Sequence, residues 1–232
     1  MKKTLYTILL ISCCVCAAAQ TNHARLLQAY FADDLDVWRT AIEQIDTADI
    51  AALREMVNYE YGYIGFCIGR ERFDEAKMHI ATMKTHLNRL ERHGYEPAML
   101  NLYRSALCAF ELSMNRWKFA TLGVESVRLA NLAYAQAPDN PFVLSLKGNT
   151  DFYRPALAGG SKKRAIELYE KAVALYEQQQ LTDHWNYYAT LLTLAQAYEK
   201  TENPTKAKAT CRKLLDTAPD FKFVRDKYYP SL

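Results

Sequence analysis

Small and apolar residues recur along this chain at fixed helical offsets, and that pattern restricts its fold more than any other feature. Near the C-terminus Leu191, Leu194, Ala195 and Tyr198 follow L-x2-L-A-x2-Y. Ala207, Cys211, Leu214 and Pro219 then follow A-x3-C-x2-L-x4-P. Residues three and four apart share one face of a helix, so each block reads as a helix with one buried stripe. Two such blocks make an antiparallel pair. Ala195 and Ala207 mark its closest approach, Tyr198 fills the space beside them, and Pro219 ends the second helix. The second-helix spacing returns at Ser126, Ala130, Ala133 and Pro138, at Ala165, Tyr169 and Ala172, and more loosely at Ala76, Ile80 and Met83. Helical runs over about residues 50–68, 97–114 and 141–152 precede these blocks.

The offsets resemble the tetratricopeptide repeat, with Leu191 where Trp is usual and Cys211 where an aromatic is usual. The resemblance implies an all-α fold, a right-handed superhelix of antiparallel helix pairs. About four pairs span residues 48–220. Residues 20–47 read as an N-terminal helical cap in which Trp38, Ile42 and Ile45 cover the first repeat. Residues 221–232, with Phe221, Phe223, Val224, Tyr228 and Tyr229, read as a C-terminal cap, because terminal repeats need a covered outer face. Asp183, Asn203 before Pro204, and Asn140 before Pro141 are expected N-caps. Between the helices of the third pair lies an insert, Arg154 to Ser161. Pro155 is expected to end one helix, Gly159 and Gly160 to supply positive φ, and Ser161 to cap the next helix.

Residues 1–19 read as a secretory signal: Lys2 and Lys3, an apolar run from Thr4 to Cys16, then Ala17-Ala18-Ala19 before Gln20. The run is short for a bilayer span, so no transmembrane helix is expected in the mature chain. Leu10-Ile11-Ser12-Cys13 also resembles a lipobox, which would leave a lipid anchor on Cys13. Either route places the protein outside the cytoplasmic membrane, periplasmic, secreted or envelope-bound. The formal charge of +3 falls to about +1 without Lys2 and Lys3. That balance lacks the footprint of a nucleic-acid binder. Cys67, Cys108 and Cys211 remain after cleavage, an odd number in apolar helical surroundings. Buried free thiols are expected, with one bridge and a spare thiol as the alternative.

No constellation points to catalysis, a cofactor or a metal. His79, His86 and His93 are seven apart, about 10.5 Å along a helix and too far for shared ligation. Asp33, Asp34 and Asp36 read as an acidic helix start, because Val37 and Trp38 break a calcium loop. Gly159-Gly160-Ser161-Lys162 lacks the offsets and the preceding strand of a phosphate loop. The chain therefore reads as a non-enzyme.

Asn140-Pro141, Gly148-Asn149, the Gly159-Gly160 insert, Ala165, Ala172, Trp185 and the closing Pro219-Asp220-Phe221 resemble a group of small exported tetratricopeptide proteins of Bacteroidetes-type bacteria. A more distant similarity is to the periplasmic T component of TRAP-type transporters. These resemblances imply a fold and an address but no activity. In this fold the first helix of each pair lines the concave face, which directs Asn58, Tyr61, Tyr103, Phe142, Ser145, Asn149 and Gln196 toward a groove. The function expected is a scaffold or adaptor gripping a protein or peptide partner there. An accessory solute-binding component of an envelope transport system is the alternative, and it predicts a deep pocket.

Overall fold

The computed structural model describes residues 23–232. The expected signal at residues 1–19 and the lipobox at Cys13 lie outside them. Every regular element described is helical. Helix α1 covers residues 23–32 and α2 Leu35–Glu43. Four antiparallel pairs follow: α3 (Ile50–Gly69) with α4 (Phe73–Arg92), α5 (Pro97–Met114) with α6 (Val124–Gln136), α7 (Pro141–Tyr153) with α8 (Lys162–Gln178), and α9 (Trp185–Glu199) with α10 (Pro204–Thr217). Each pair packs tightly within itself and against the next, which is the build of an α-solenoid. A π-turn, Val224–Tyr228, and the one-turn α11, Tyr229–Ser231, complete the chain.

The local signals account for most boundaries. Asp34, Asp49, Asn140, Ser161 and Asn203 each accept backbone N–H bonds at a helix start. Asp183 does not: α9 begins at Trp185 after His184, and the Asp183 carbonyl instead accepts from His23 Nε2 at 3.0 Å. The small-residue stripes are buried throughout. Ala76, Ala130, Ala133, Ala165, Ala172, Ala207, Cys211 and Leu214 are at most 1% exposed. In the second pair the close approach is polar, with Ser105 and Ser126 each bonding the other's carbonyl. Gly148 fills that role in the third pair, where a Cβ would lie 2.5 Å from the Tyr169 ring. All three described cysteines are free thiols, Cys67 and Cys211 buried and Cys108 partly so.

The two caps differ from expectation in reach. Trp38 and Ile42 do cover the first pair, and Trp38 Nε1 donates to the Tyr59 carbonyl at 3.1 Å. But the N-terminal layer also touches the last pair. Trp38 lies 5.4 Å from Trp185, Tyr30 lies 5.7 Å from Trp185 and 5.0 Å from Phe221, and Phe31 lies 4.8 Å from Tyr188, all ring to ring. Gly62 makes this possible: a Cβ there would come within 2.7 Å of Trp38 and 2.8 Å of Trp185. The helices α1 and α2 and the last pair with Phe221 therefore share one aromatic core, and the array is closed on itself.

The insert after α7 is a stapled loop. Ser161 N–H donates to the Asp151 carbonyl and Gly160 N–H to that of Pro155. Only Gly159 has positive φ, at 88°. Gly160 is needed for a different reason, since a Cβ on it would overlap the carbonyl oxygen of Arg154, a backbone atom that no rotamer change can move. We expect Gly160→Ala to lower stability by roughly 1–3 kcal/mol, as overpacking does, read from a thermal melt. A melting temperature equal to the parent's would mean the loop does not close on Arg154.

Candidate inner-wall binding site

The first helices α3, α5, α7 and α9 present the inner face, and their side chains meet across it. Trp185 Nε1 donates to Asn58 Oδ1 at 2.7 Å, and Asn58 Nδ2 donates to the Tyr103 hydroxyl at 3.1 Å. Ser145 donates to the Pro141 carbonyl and pairs with Thr190 at 2.7 Å. Tyr61 sits at the centre. It stacks on Phe110 with centroids 5.6 Å apart and planes 25° apart, meets Phe142 edge-on at 5.7 Å, and lies 6.0 Å from Trp185. Edge and offset contacts of this kind add to simple burial. Burial drives the Tyr61 and Tyr103 hydroxyls far above the usual phenol range, so both stay protonated.

The seven expected groove residues thus divide. Tyr103, Phe142 and Ser145 are buried and belong to the packed interior, because α3 and α9 meet through Asn58, Tyr61 and Trp185 and shut the inner face at that level. Asn58 is half-buried with both amide atoms engaged. Tyr61 and Asn149 are half-buried near each other, and Asn149 Oδ1 accepts from the Tyr169 hydroxyl at 2.7 Å. Gln196 is half-buried near the end of α9.

What stays accessible lies toward the C-terminal ends of the first helices. Gly65, Phe110, Met114, Asn149 and Gln196 are half-buried there, and Tyr153 is 69% exposed. This end of the inner face, its mouth, holds the Tyr61–Phe110 stack. Gly65 leaves space before that stack: a Cβ would sit 3.7 Å from Phe110, an ordinary contact. Phe110 was missed from sequence, although it lies seven residues after Tyr103 and hence on the same helical face. Two surface depressions lie elsewhere. One of about 350 Å³ is lined by charged residues including Asp33, Asp36, Arg70, Arg72 and Lys222. One of about 200 Å³ lies beside Tyr30, Phe66, Leu192 and Phe221. Both are open rather than enclosed.

Three of the histidines are engaged elsewhere. His86 bonds the buried Glu60 at 2.9 Å, His79 packs on Tyr63, and His23 Nδ1 bonds the Tyr59 hydroxyl at 3.0 Å. Among the described residues no group of three or more His, Cys, Asp or Glu side chains is placed to hold a metal ion. No helix among them is long and apolar enough to cross a membrane.

Comparisons with known proteins agree with this build. The tetratricopeptide repeat family matches residues 188–221, which run through α9 and α10. Among solved structures the chain is similar to the HusA haemophore from Porphyromonas gingivalis, at 20% identity and a TM-score of 0.59, covering 79% of this chain and 94% of that one. This likeness is one of fold. A search of curated proteins found no match.

Proposed function

We propose that this chain is an exported, non-catalytic binding protein that takes its partner, a protein segment, at the aromatic mouth of the closed array. The export half rests on the leader-like pattern of residues 1–19. The binding half rests on one observation above others: a stacked Tyr61–Phe110 wall, half-open to solvent, with a glycine in front of it. Large rigid aromatics in a partly desolvated recess are the usual anchors of an interface. The tetratricopeptide build supports a protein partner, since such arrays commonly present helix faces to peptide segments.

A second reading has its own support. The similar solved structure is a haemophore, and a stacked aromatic wall suits a flat macrocycle as well as a side chain. With His23, His79 and His86 engaged elsewhere, ring stacking rather than these histidines would hold the macrocycle. An accessory role in solute transport fits less well, because it calls for an enclosed pocket and these two depressions are open.

Gly65→Leu tests the site by filling it without removing a core side chain. Helicity and melting temperature should hold, since leucine favours a helix interior more than glycine does. Envelope proteins captured on the parent chain should fall by about tenfold or more on the variant. Equal capture by both would overturn the wall as the working surface. Saturable binding of haemin by the parent, followed by absorbance and lost in Gly65→Leu, would favour the macrocycle instead.

A further inference from the structure

The rim of the array carries a feature that the binding wall does not explain. Helices α3, α5 and α7 run in the same direction: Tyr103 meets Phe142, while Phe110 and Asn149 both lie beside Tyr61. The C-terminal ends of α5 and α7, at Met114 and Tyr153, therefore lie at one end of the molecule, and the turns after them emerge side by side.

The first turn is Arg116-Trp117-Lys118, a single 3₁₀ turn, followed by a π-turn, Phe119–Gly123. Trp117 is 98% exposed, and Phe119 and Val124 are also exposed. The second turn holds Leu157 fully in solvent, with Lys162 and Lys163 exposed behind it. Residues 112–124 and 152–166 contain no Asp or Glu. Arg154 and Arg164 are held by Asp151, whereas Arg116, Lys118, Lys162 and Lys163 form no ion pair among the described residues. Two neighbouring turns thus project bare apolar tips between unneutralised cations.

From this juxtaposition we infer that the edge formed by these two turns docks on an anionic lipid surface, with Trp117, Phe119 and Leu157 entering the interfacial layer and the four bases meeting lipid phosphates. Tryptophan favours the membrane–water interface, and cations beside such tips are drawn to anionic lipid. A protein partner would need a separate pocket for each protruding tip; a headgroup layer accommodates them all. Docking in this way leaves the mouth at Tyr61 and Phe110 near the lipid, whatever that mouth holds.

The intact chain can be tested directly, because its tryptophans are Trp38, Trp117 and Trp185 and only Trp117 is exposed. Vesicles of mixed phosphatidylglycerol and phosphatidylcholine should shift the emission to the blue and protect it from iodide, and about 0.5 M salt should reverse both. Arg116→Gln with Lys118→Gln should weaken co-sedimentation by about 25-fold, at about fivefold per base. Trp117→Ser should abolish the emission change, with the circular dichroism of both variants unchanged. Unchanged parent emission with anionic vesicles, equal binding to pure phosphatidylcholine, or undiminished vesicle binding by both variants would overturn the inference. Capture of an acidic protein that Trp117→Ser loses, with no vesicle binding by the parent, would overturn it in favour of a protein surface.

Discussion

Trp185→Ala is expected to lower the unfolding free energy by about 3–5 kcal/mol, the range for deleting a buried tryptophan. The indole is 5% exposed and meets rings from three separate parts of the chain: Tyr30 of α1, Trp38 of α2 and Tyr61 of α3. Its loss opens a cavity bounded by Trp38, whose own position is fixed by the bond to the Tyr59 carbonyl, so the site cannot easily collapse. It also strands Asn58 Oδ1. Urea denaturation followed by circular dichroism measures the effect. Trp185→Phe separates the two contributions, retaining most of the packing and losing the hydrogen bond, with an expected loss of about 1–3 kcal/mol. A Trp185→Ala midpoint equal to the parent's would mean that α3 and α9 do not meet.

The second large effect is expected at Asp151. Its carboxylate is 1% exposed and faces Lys147 at 2.8 Å, Arg154 at 2.8 Å and Arg164 at 3.2 Å. Both guanidinium groups also donate to the Gly159 carbonyl. Asp151→Ala leaves Lys147 and Arg154 packed around an empty charge site, and removing one member of a buried ionic cluster costs about 3–5 kcal/mol. The pH dependence follows in sign. Burial by itself would raise the carboxyl's pKa, but the bonds from Arg164 and Lys147 outweigh it and hold the group below its usual value. The stabilisation is therefore present above the unfolded carboxylate's pKa and fades as pH falls through the folded one. Thermal melts from neutral to about pH 2 should show the parent losing more stability than Asp151→Ala, the two converging at the acid end. Parallel curves would remove Asp151 from the ionic account.

The stripe Ala207, Cys211 and Leu214 was legible in the sequence because helical burial is local: three residues one turn apart declare a shared face wherever the helix goes. The caps Asn140, Ser161 and Asn203 were legible for the same reason. Gly160 was half legible, since a glycine pair announces unusual backbone but not whether φ or a close carbonyl demands it. The inner face was not legible. Whether Phe142 lines a groove or a core depends on Asn58 meeting Trp185, 127 residues away, and spacing within one helix carries nothing about that distance. Trp117 was not legible either: an aromatic between Arg116 and Lys118 carries no sign of its exposure, which only the structure gives.

The shared aromatic core of the first and last helices also fixes a timetable. In an open solenoid each unit can settle on its predecessor as it leaves the ribosome. Here Tyr30 and Trp38 wait for Trp185 and Phe221, which are made long after them, so the nascent chain keeps an unsatisfied apolar edge until the α9 segment has been made. Contacts that span most of the sequence slow the final step of folding.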